Sequence, residues 1–215
     1  SNEFLGIGHY EPTSIAVRLF SFDKITPDYA FWKSKIEKAY NYRKNLGFMD
    51  KPNTNIYRLL YAEGDGVPGL IIDIYNKTAV LQAHTIGIYQ TIEVIAKALK
   101  DVYQDRLEII YDKSGKTIPQ NASTKAVDRY LLREVEMKEN VSTENGNDFY
   151  INWEEGQKTG FFIDQRDNRA LLGKYSKGKT VLNTFCYTGG FSVYAANAGA
   201  KEVHSVDSSK KAIEM

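Results

Sequence analysis

Hydrophobic and polar residues alternate along Ser14-Ile15-Ala16-Val17-Arg18-Leu19-Phe20, with Gly6 and Gly8 punctuating the stretch before it. Residues 4–22 therefore read as short strands. They are too few for a domain and read as the last strands of one, here bounded as 1–24. The period then lengthens. Trp32, Ile36, Ala39, Tyr40 and Arg43 follow helical spacing. Thr26 is placed as the N-cap, Pro27 at the first helical position, Asp28 at the positive end of the dipole and Gly47 as the stop. From Ile56 to Gln82 the pattern is strand, turn, strand, turn, strand. The glycine-dense Glu63–Gly69 stretch is a tight turn and Asn76-Lys77 a hairpin turn between Leu70–Tyr75 and Thr78–His84. Ile92, Ile95, Ala96 and Leu99 predict a helix over 89–102, and Leu107–Tyr111 reads as a strand.

Asp112 to Asp128 is polar and reads as a long loop. Leu131–Asn140 and Asp148–Trp153 read as strands paired around Asn145-Gly146, the usual type I′ signal. Residues 25–153 are thus expected to form a linker helix and a small α+β domain. Beyond them, Lys179–Asn183 reads as a buried strand, residues 191–197 as a helix ended by Gly199, and Glu202–Val206 as a second strand. The expected fold class is α/β: a Rossmann-like domain over 154–215, incomplete here, after the α+β domain and a β-rich remnant.

Composition narrows the picture only a little. The chain has 215 residues, 42% of them apolar, and a net charge of +1. A core can form, and any nucleic-acid contact must come from local patches. One such patch is Lys24–Lys51, where basic residues interleave with aromatics. It is a solvated amphipathic helix or a phosphate-facing surface. Cys186 is the one cysteine, which points to a reducing cytoplasm. No apolar run approaches membrane-spanning length, so no membrane partner is expected. No metal-ligand set is expected either.

The candidate chemistry lies between Gly156 and Asp207. The polar run Gly156–Arg169 holds paired Phe161 and Phe162 and two glycines. A ligand site accounts for that density better than exposed ion pairs do. Asp164 is placed as the cap of a helix packing through Leu171, Leu172 and Tyr175. Thr184-Phe185-Cys186-Tyr187-Thr188-Gly189-Gly190 joins a strand to a helix, and Asp207 follows the next strand about 20 positions on. In this arrangement glycines let the backbone approach a ligand, the helix N-terminus is polar, and the acid accepts hydrogen bonds from ribose hydroxyls. Gly189-Gly190 lacks the three-glycine spacing of nicotinamide-binding proteins, and no phosphate-loop lysine follows it. Ser208 or Ser209 is placed as the cap of the next helix.

At this point a resemblance becomes specific. Gly156-Gln157-Lys158-Thr159-Gly160-Phe161-Phe162-Ile163-Asp164-Gln165-Arg166-Asp167-Asn168-Arg169 resembles the opening signature of the methyltransferase domain in the PUA-domain ribosomal-RNA methyltransferases. Val181–Ser192 resembles their first cofactor motif and Val206-Asp207-Ser208-Ser209 their second. Glu63–Leu70 resembles the middle domain, and Ser14–Arg18 the edge of the PUA module. Lys113, Lys116 and Lys125 depart from the arginines the family tends to show.

The resemblance implies a class I methyltransferase using S-adenosylmethionine on a base of large-subunit ribosomal RNA, cytosine C5 first. It implies cofactor contacts from Phe161, Phe162, Asp164, Arg166, Asn183, Phe185, Cys186, Tyr187, Thr188, Gly189, Gly190, Asp207 and Ser208, and RNA contacts from Lys158 and Arg169. Cytosine-C5 methylation requires a thiolate that adds to C6. Cys186 sits in the cofactor loop and is read as a loop residue, not that nucleophile. The resemblance places the catalytic groups, an Asp-Pro-Pro type motif and a cysteine, after Met215. The chain is accordingly expected to be truncated at both ends and inactive by itself. A non-catalytic RNA-binding module and a guanine-N7 enzyme of the same fold are the alternatives, and a homo-oligomer stays open.

Overall fold

The computed structural model describes residues 3–118, 125–134 and 140–214. They form two compact units: Ser1–Lys51 with Asn55–Glu136, and Pro52–Thr54 with Met137–Met215.

The first unit opens with β1 (Ile7–Tyr10) and β2 (Val17–Ser21), paired antiparallel. Helix α1 (Tyr29–Asn45) follows. Its cap is Asp28, whose carboxylate accepts the Phe31 N–H at 3.0 Å, and not Thr26. A carboxylate at that position satisfies an otherwise unpaired donor at the positive end of the helix. Gly47 sits at φ +76°, the left-handed turn that ends the helix as expected. Then come β3 (Ile56–Tyr61), β4 (Leu70–Tyr75), β5 (Thr78–Ala83), α2 (Ile86–Tyr103), β6 (Ile109–Asp112) and β7 (Arg129–Leu132). The strands form one sheet in chain order, antiparallel except for β5 against β6, with α2 as the crossover. Helices α1 and α2 pack on each other, and Trp32, Ile36, Leu59, Ile72, Leu81, Ile92, Ile95 and Leu99 share one buried core.

Two expectations change here. β7 ends at Leu132 and pairs with β6, whereas the sequence suggested a strand reaching Asn140 and pairing beyond Asn145-Gly146; residues 135–139 lie outside the described residues. The start of the expected 112–128 loop is packed: the Ser114 hydroxyl accepts the Ala83 N–H at 2.9 Å, and Ile118 is buried. Residues 119–124 lie outside the described residues.

The second unit begins with the hairpin β8 (Val141–Glu144) and β9 (Asn147–Tyr150). Asn145 and Gly146 both have positive φ, 51° and 78°, as the Asn-Gly signal requires. Asn53 and Thr54 dock on this turn, accepting the Gly146 and Asn145 N–H groups at 2.8 Å each. The hairpin, read from sequence as part of the 25–153 domain, thus clusters with residues 156–214. Helix α3 (Arg166–Ser176), β10 (Thr180–Thr184), α4 (Gly190–Asn197), β11 (Glu202–Val206) and α5 (Lys210–Glu214) complete it. Helix α3 buries Arg169, Gly173 and Ser176, not Leu171 and Tyr175, which are exposed. Helix α3 packs on α4 at Gly173, where a Cβ would meet the Tyr194 carbonyl in ordinary contact at 3.5 Å. β10 is exposed at alternate positions and not buried throughout. It pairs in parallel with β11, Thr184 against Val206, so the loops after both strands leave from one end.

Candidate functional site

At that end the chain folds into a cavity of about 410 Å³. The loop after β10 alternates hand, with Phe185 at φ 60°, Tyr187 at 51° and Gly189 at 79°. Positive φ at two residues that are not glycine costs energy and must be held from outside. The holding bonds are short and local. The Cys186 N–H donates to the Val206 carbonyl at 3.1 Å, and the Gly189 N–H to the Cys186 carbonyl at 2.9 Å. The Tyr187 N–H donates to the Asp207 carboxylate at 2.8 Å. Asp207 also accepts the Ser209 N–H at 2.8 Å. Behind the loop, the Asn183 amide donates to the Ser192 hydroxyl at 2.8 Å, tying β10 to α4.

The other wall is the polar run before α3. Its Gln157 N–H donates to the Tyr187 hydroxyl at 2.8 Å, and the Phe162 ring meets the Tyr187 ring edge-on at 5.4 Å. Gly156 permits this approach, because a Cβ there would stand 2.4 Å from the Asn152 carbonyl and 3.0 Å from the Tyr187 hydroxyl. Gly156→Ala is expected to lower stability by about 1–3 kcal/mol through this overpacking. A thermal melt reads it, and an unchanged midpoint would mean the segment shifts freely.

The cavity collects most of the residues singled out from the sequence and omits others. Phe161, Phe162, Phe185, Cys186, Tyr187, Thr188, Gly190 and Asp207 line it, as does Arg169. Asn183, Gly189 and Ser208 do not line it; Gly189 caps α4. Asp164 faces Lys158 at 3.3 Å and does not cap α3, whose start carries no side-chain cap. Lys158 also lies over the Phe162 ring at 4.5 Å. Of the two serines, Ser209 caps α5, accepting the Ala212 N–H at 3.3 Å. Gln157, Gln165 and Phe191 also line the cavity and were not foreseen. Gln157 and Gln165 lie inside the signature run, so their position alone could have marked them.

Arg166 and Arg169 serve a different purpose from the one expected. The Glu144 carboxylate, fully buried, accepts from Arg169 Nε and Nη2 at 2.9 Å each, from Arg166 Nε at 3.0 Å and from the Tyr194 hydroxyl at 3.0 Å. Arg169 Nη1 donates to the Phe162 carbonyl at 2.9 Å, and its guanidinium lies 4.4 Å from the Phe161 ring centroid. Arg169 is 2% exposed and engaged at all three nitrogens, so it is not offered to an RNA backbone. It sets the positions of Phe161 and Phe162 instead.

Electrostatics set the character of the cavity. The backbone N–H groups of Ser209 and Tyr187 hold the Asp207 carboxyl below its ordinary value, so it stays anionic. Burial, and then the Asp207 charge, push the Cys186 thiol up, so it stays protonated. The N-terminus of α4 opens on the cavity at Gly190 and favours negative or polar ligand groups. An anionic acceptor, a polar helix end and aromatic walls suit a nucleoside joined to an amino acid, and the volume falls in the range of small-molecule pockets. No group of three or more His, Cys, Asp or Glu among the described residues could hold a metal ion.

The parallel βαβ unit has the Rossmann-like fold of class I S-adenosylmethionine-dependent methyltransferases. Residues 126–214 match the family model of S-adenosylmethionine-dependent methyltransferases. The whole chain is similar to the ribosomal RNA large subunit methyltransferase I of Pseudoalteromonas atlantica, 37% identical over 98% of this chain and 53% of that protein. The enzyme of the same name from Aeromonas hydrophila is 38% identical over 94% of this chain and 51% of its own length. Among solved structures, a protein from Streptococcus mutans described as a SAM-dependent methyltransferase superposes with a TM-score of 0.83 at 29% identity. It is covered over 53% of its length, and this chain over 98%. A methyltransferase structure that matches equally well was solved in complex with S-adenosylhomocysteine. The chain spans about half the length of the curated relatives it matches.

Proposed function

We propose that this chain belongs to an enzyme that methylates a base of large-subunit ribosomal RNA, cytosine C5 first, with S-adenosylmethionine held in the cavity just described. The observation that carries the reading is the placement of Asp207 at the end of β11, facing the glycine-opened start of α4 across one cavity. The Asp207 carboxylate has lone pairs left beyond its two backbone bonds and accepts ribose hydroxyls. Phe162, Phe185 and Phe191 supply apolar walls for the adenine, and the amides at the start of α4 meet the amino-acid end. When bound, the cofactor supplies a methyl group on a positively charged sulfur. The RNA class rests on relatives named for large-subunit ribosomal RNA, and the base on the family resemblance of the signature run Gly156–Arg169.

In this reading Cys186 is a loop residue that lines the cofactor cavity and not the nucleophile. The strands β1 and β2 are read as the end of a PUA-like module and the rest of the first unit as the middle domain, both positioning RNA, with Lys158 as an RNA contact. A cytoplasmic location suits that substrate. No helix among the described residues is long and apolar enough to cross a membrane.

The test is transfer of a labelled methyl group to ribosomal RNA by the enzyme to which this chain belongs, followed by nucleoside analysis. Label in 5-methylcytidine is expected. Label in 7-methylguanosine would move the target to guanine, and cofactor binding without any label in RNA would sink the enzymatic reading for this chain. A pH series adds a second check. Because Asp207 has a lowered pKa, its contribution to cofactor binding is present above the ordinary carboxylate range and is lost only as pH falls below it. Affinity for S-adenosylhomocysteine is therefore expected to show no Asp207-dependent change between about pH 7 and 5. A loss near pH 6 that Asp207→Asn abolishes would contradict this.

A further inference from the structure

A polar groove of about 620 Å³ lies in the first unit, between α1 and the turn at 64–66. Lys38, Asn41, Tyr42 and Asn45 line it at the i, i+3, i+4, i+7 spacing of one helical face, with Lys35 beside them. An ordinary solvated helix face mixes both signs of charge, yet residues 38–49 contain no acid. The one acid in the groove wall, Asp65, is already engaged. It accepts from both Arg43 terminal nitrogens, one of them at 2.7 Å, and from the Tyr61 N–H at 2.6 Å. Glu37 is taken by Lys33 at 3.7 Å.

What remains is cationic and pre-positioned. The Lys35 ammonium donates to the Phe20 carbonyl at 2.8 Å and the Gly66 carbonyl at 3.1 Å, which fixes it on the wall with a third N–H to spare. Burial, and then the like charge of Lys38, lower its pKa, an arrangement that a bound anion relieves. Tyr42 leaves 56% of its surface exposed, with the Arg43 guanidinium 5.1 Å from the ring centroid.

We propose that this groove binds a single strand of RNA, a phosphate resting at Lys35 and Lys38, a base stacked on Tyr42, and the Asn41 and Asn45 amides at the base edge. Stacking on an exposed aromatic beside a cationic track is how single strands are held without regard to sequence. An acidic peptide would satisfy the two ammonium groups but leave the exposed ring and both amides unused. The choice of RNA over DNA rests on the proposed function; the strand site itself rests on the groove.

The experiment is fluorescence anisotropy of a labelled oligouridine with the full chain, at several salt concentrations. Tyr42→Ala is expected to weaken binding about 5- to 100-fold, while Tyr42→Phe keeps it. Lys38→Gln is expected to lower the salt slope by roughly 0.7, as one phosphate contact on a single strand does. S-adenosylhomocysteine binding, titrated on the same preparations, is expected to be unchanged. Variants that bind RNA like the wild type would overturn the proposal, as would a wild type that binds no RNA. A polyglutamate peptide whose binding depends on Tyr42 and Lys38 while that of RNA does not would overturn it too. Failure of S-adenosylhomocysteine to bind, with RNA binding sensitive to Tyr42, would defeat the cofactor reading and leave this site standing.

Discussion

Glu144→Gln is expected to lower the stability of the second unit by about 3–5 kcal/mol. The carboxylate answers two guanidinium groups and a tyrosine hydroxyl within 3.0 Å, and Glu144 and Arg169 are almost fully buried. A neutral amide of the same shape leaves those cations without their counter-charge in a poorly solvated place. It also turns two acceptor atoms into one acceptor and one donor facing N–H groups. Domains are stable by only about 5–15 kcal/mol, so this is a large share of the whole. Each unit contains one tryptophan, Trp32 and Trp153. Trp153 is buried in the second unit, and its fluorescence in a Trp32→Phe background reports urea unfolding there. A markedly lower midpoint is expected for Glu144→Gln. A midpoint within error of the parent would mean that the cluster is energetically idle.

The second large effect is on binding. Asp207→Ala is expected to weaken S-adenosylhomocysteine binding about tenfold to a hundredfold, through loss of charge-assisted hydrogen bonds to ribose hydroxyls. The same carboxylate holds the Tyr187 N–H, and through it the positive φ of that residue. Part of the loss therefore comes from a relaxed loop. Asp207→Asn separates the two contributions. Its amide oxygen still accepts the Tyr187 N–H but carries no charge, so an intermediate affinity is expected by isothermal titration calorimetry. Equal dissociation constants for all three proteins would remove Asp207 from the site.

The βαβ core of this site was legible because its signals are local. A glycine pair, a strand on either side and an acid at the next strand end all lie within 180–207, and each enforces its own backbone geometry. The Asn145-Gly146 turn was legible for the same reason. Long-range partnerships were not. Nothing near Glu144 in the sequence says that its counter-charges lie at 166 and 169, so this buried ion-pair cluster was not legible. β7 was misread because its partner, β6, lies across the 112–128 stretch. Burial along β10 was overestimated because a short apolar run looks alike in a covered sheet and in a two-stranded one. The cap of α1 was misplaced by two residues, since Thr26 and Asp28 are both good caps and only the backbone decides between them.

The most direct test of the central claim, that the cavity between residues 157–165 and 185–190 holds S-adenosylmethionine, is calorimetric titration of the chain with S-adenosylhomocysteine and, separately, with NAD. One saturable site for S-adenosylhomocysteine and no heat from NAD is the predicted result. Binding of NAD without binding of S-adenosylhomocysteine would contradict the account.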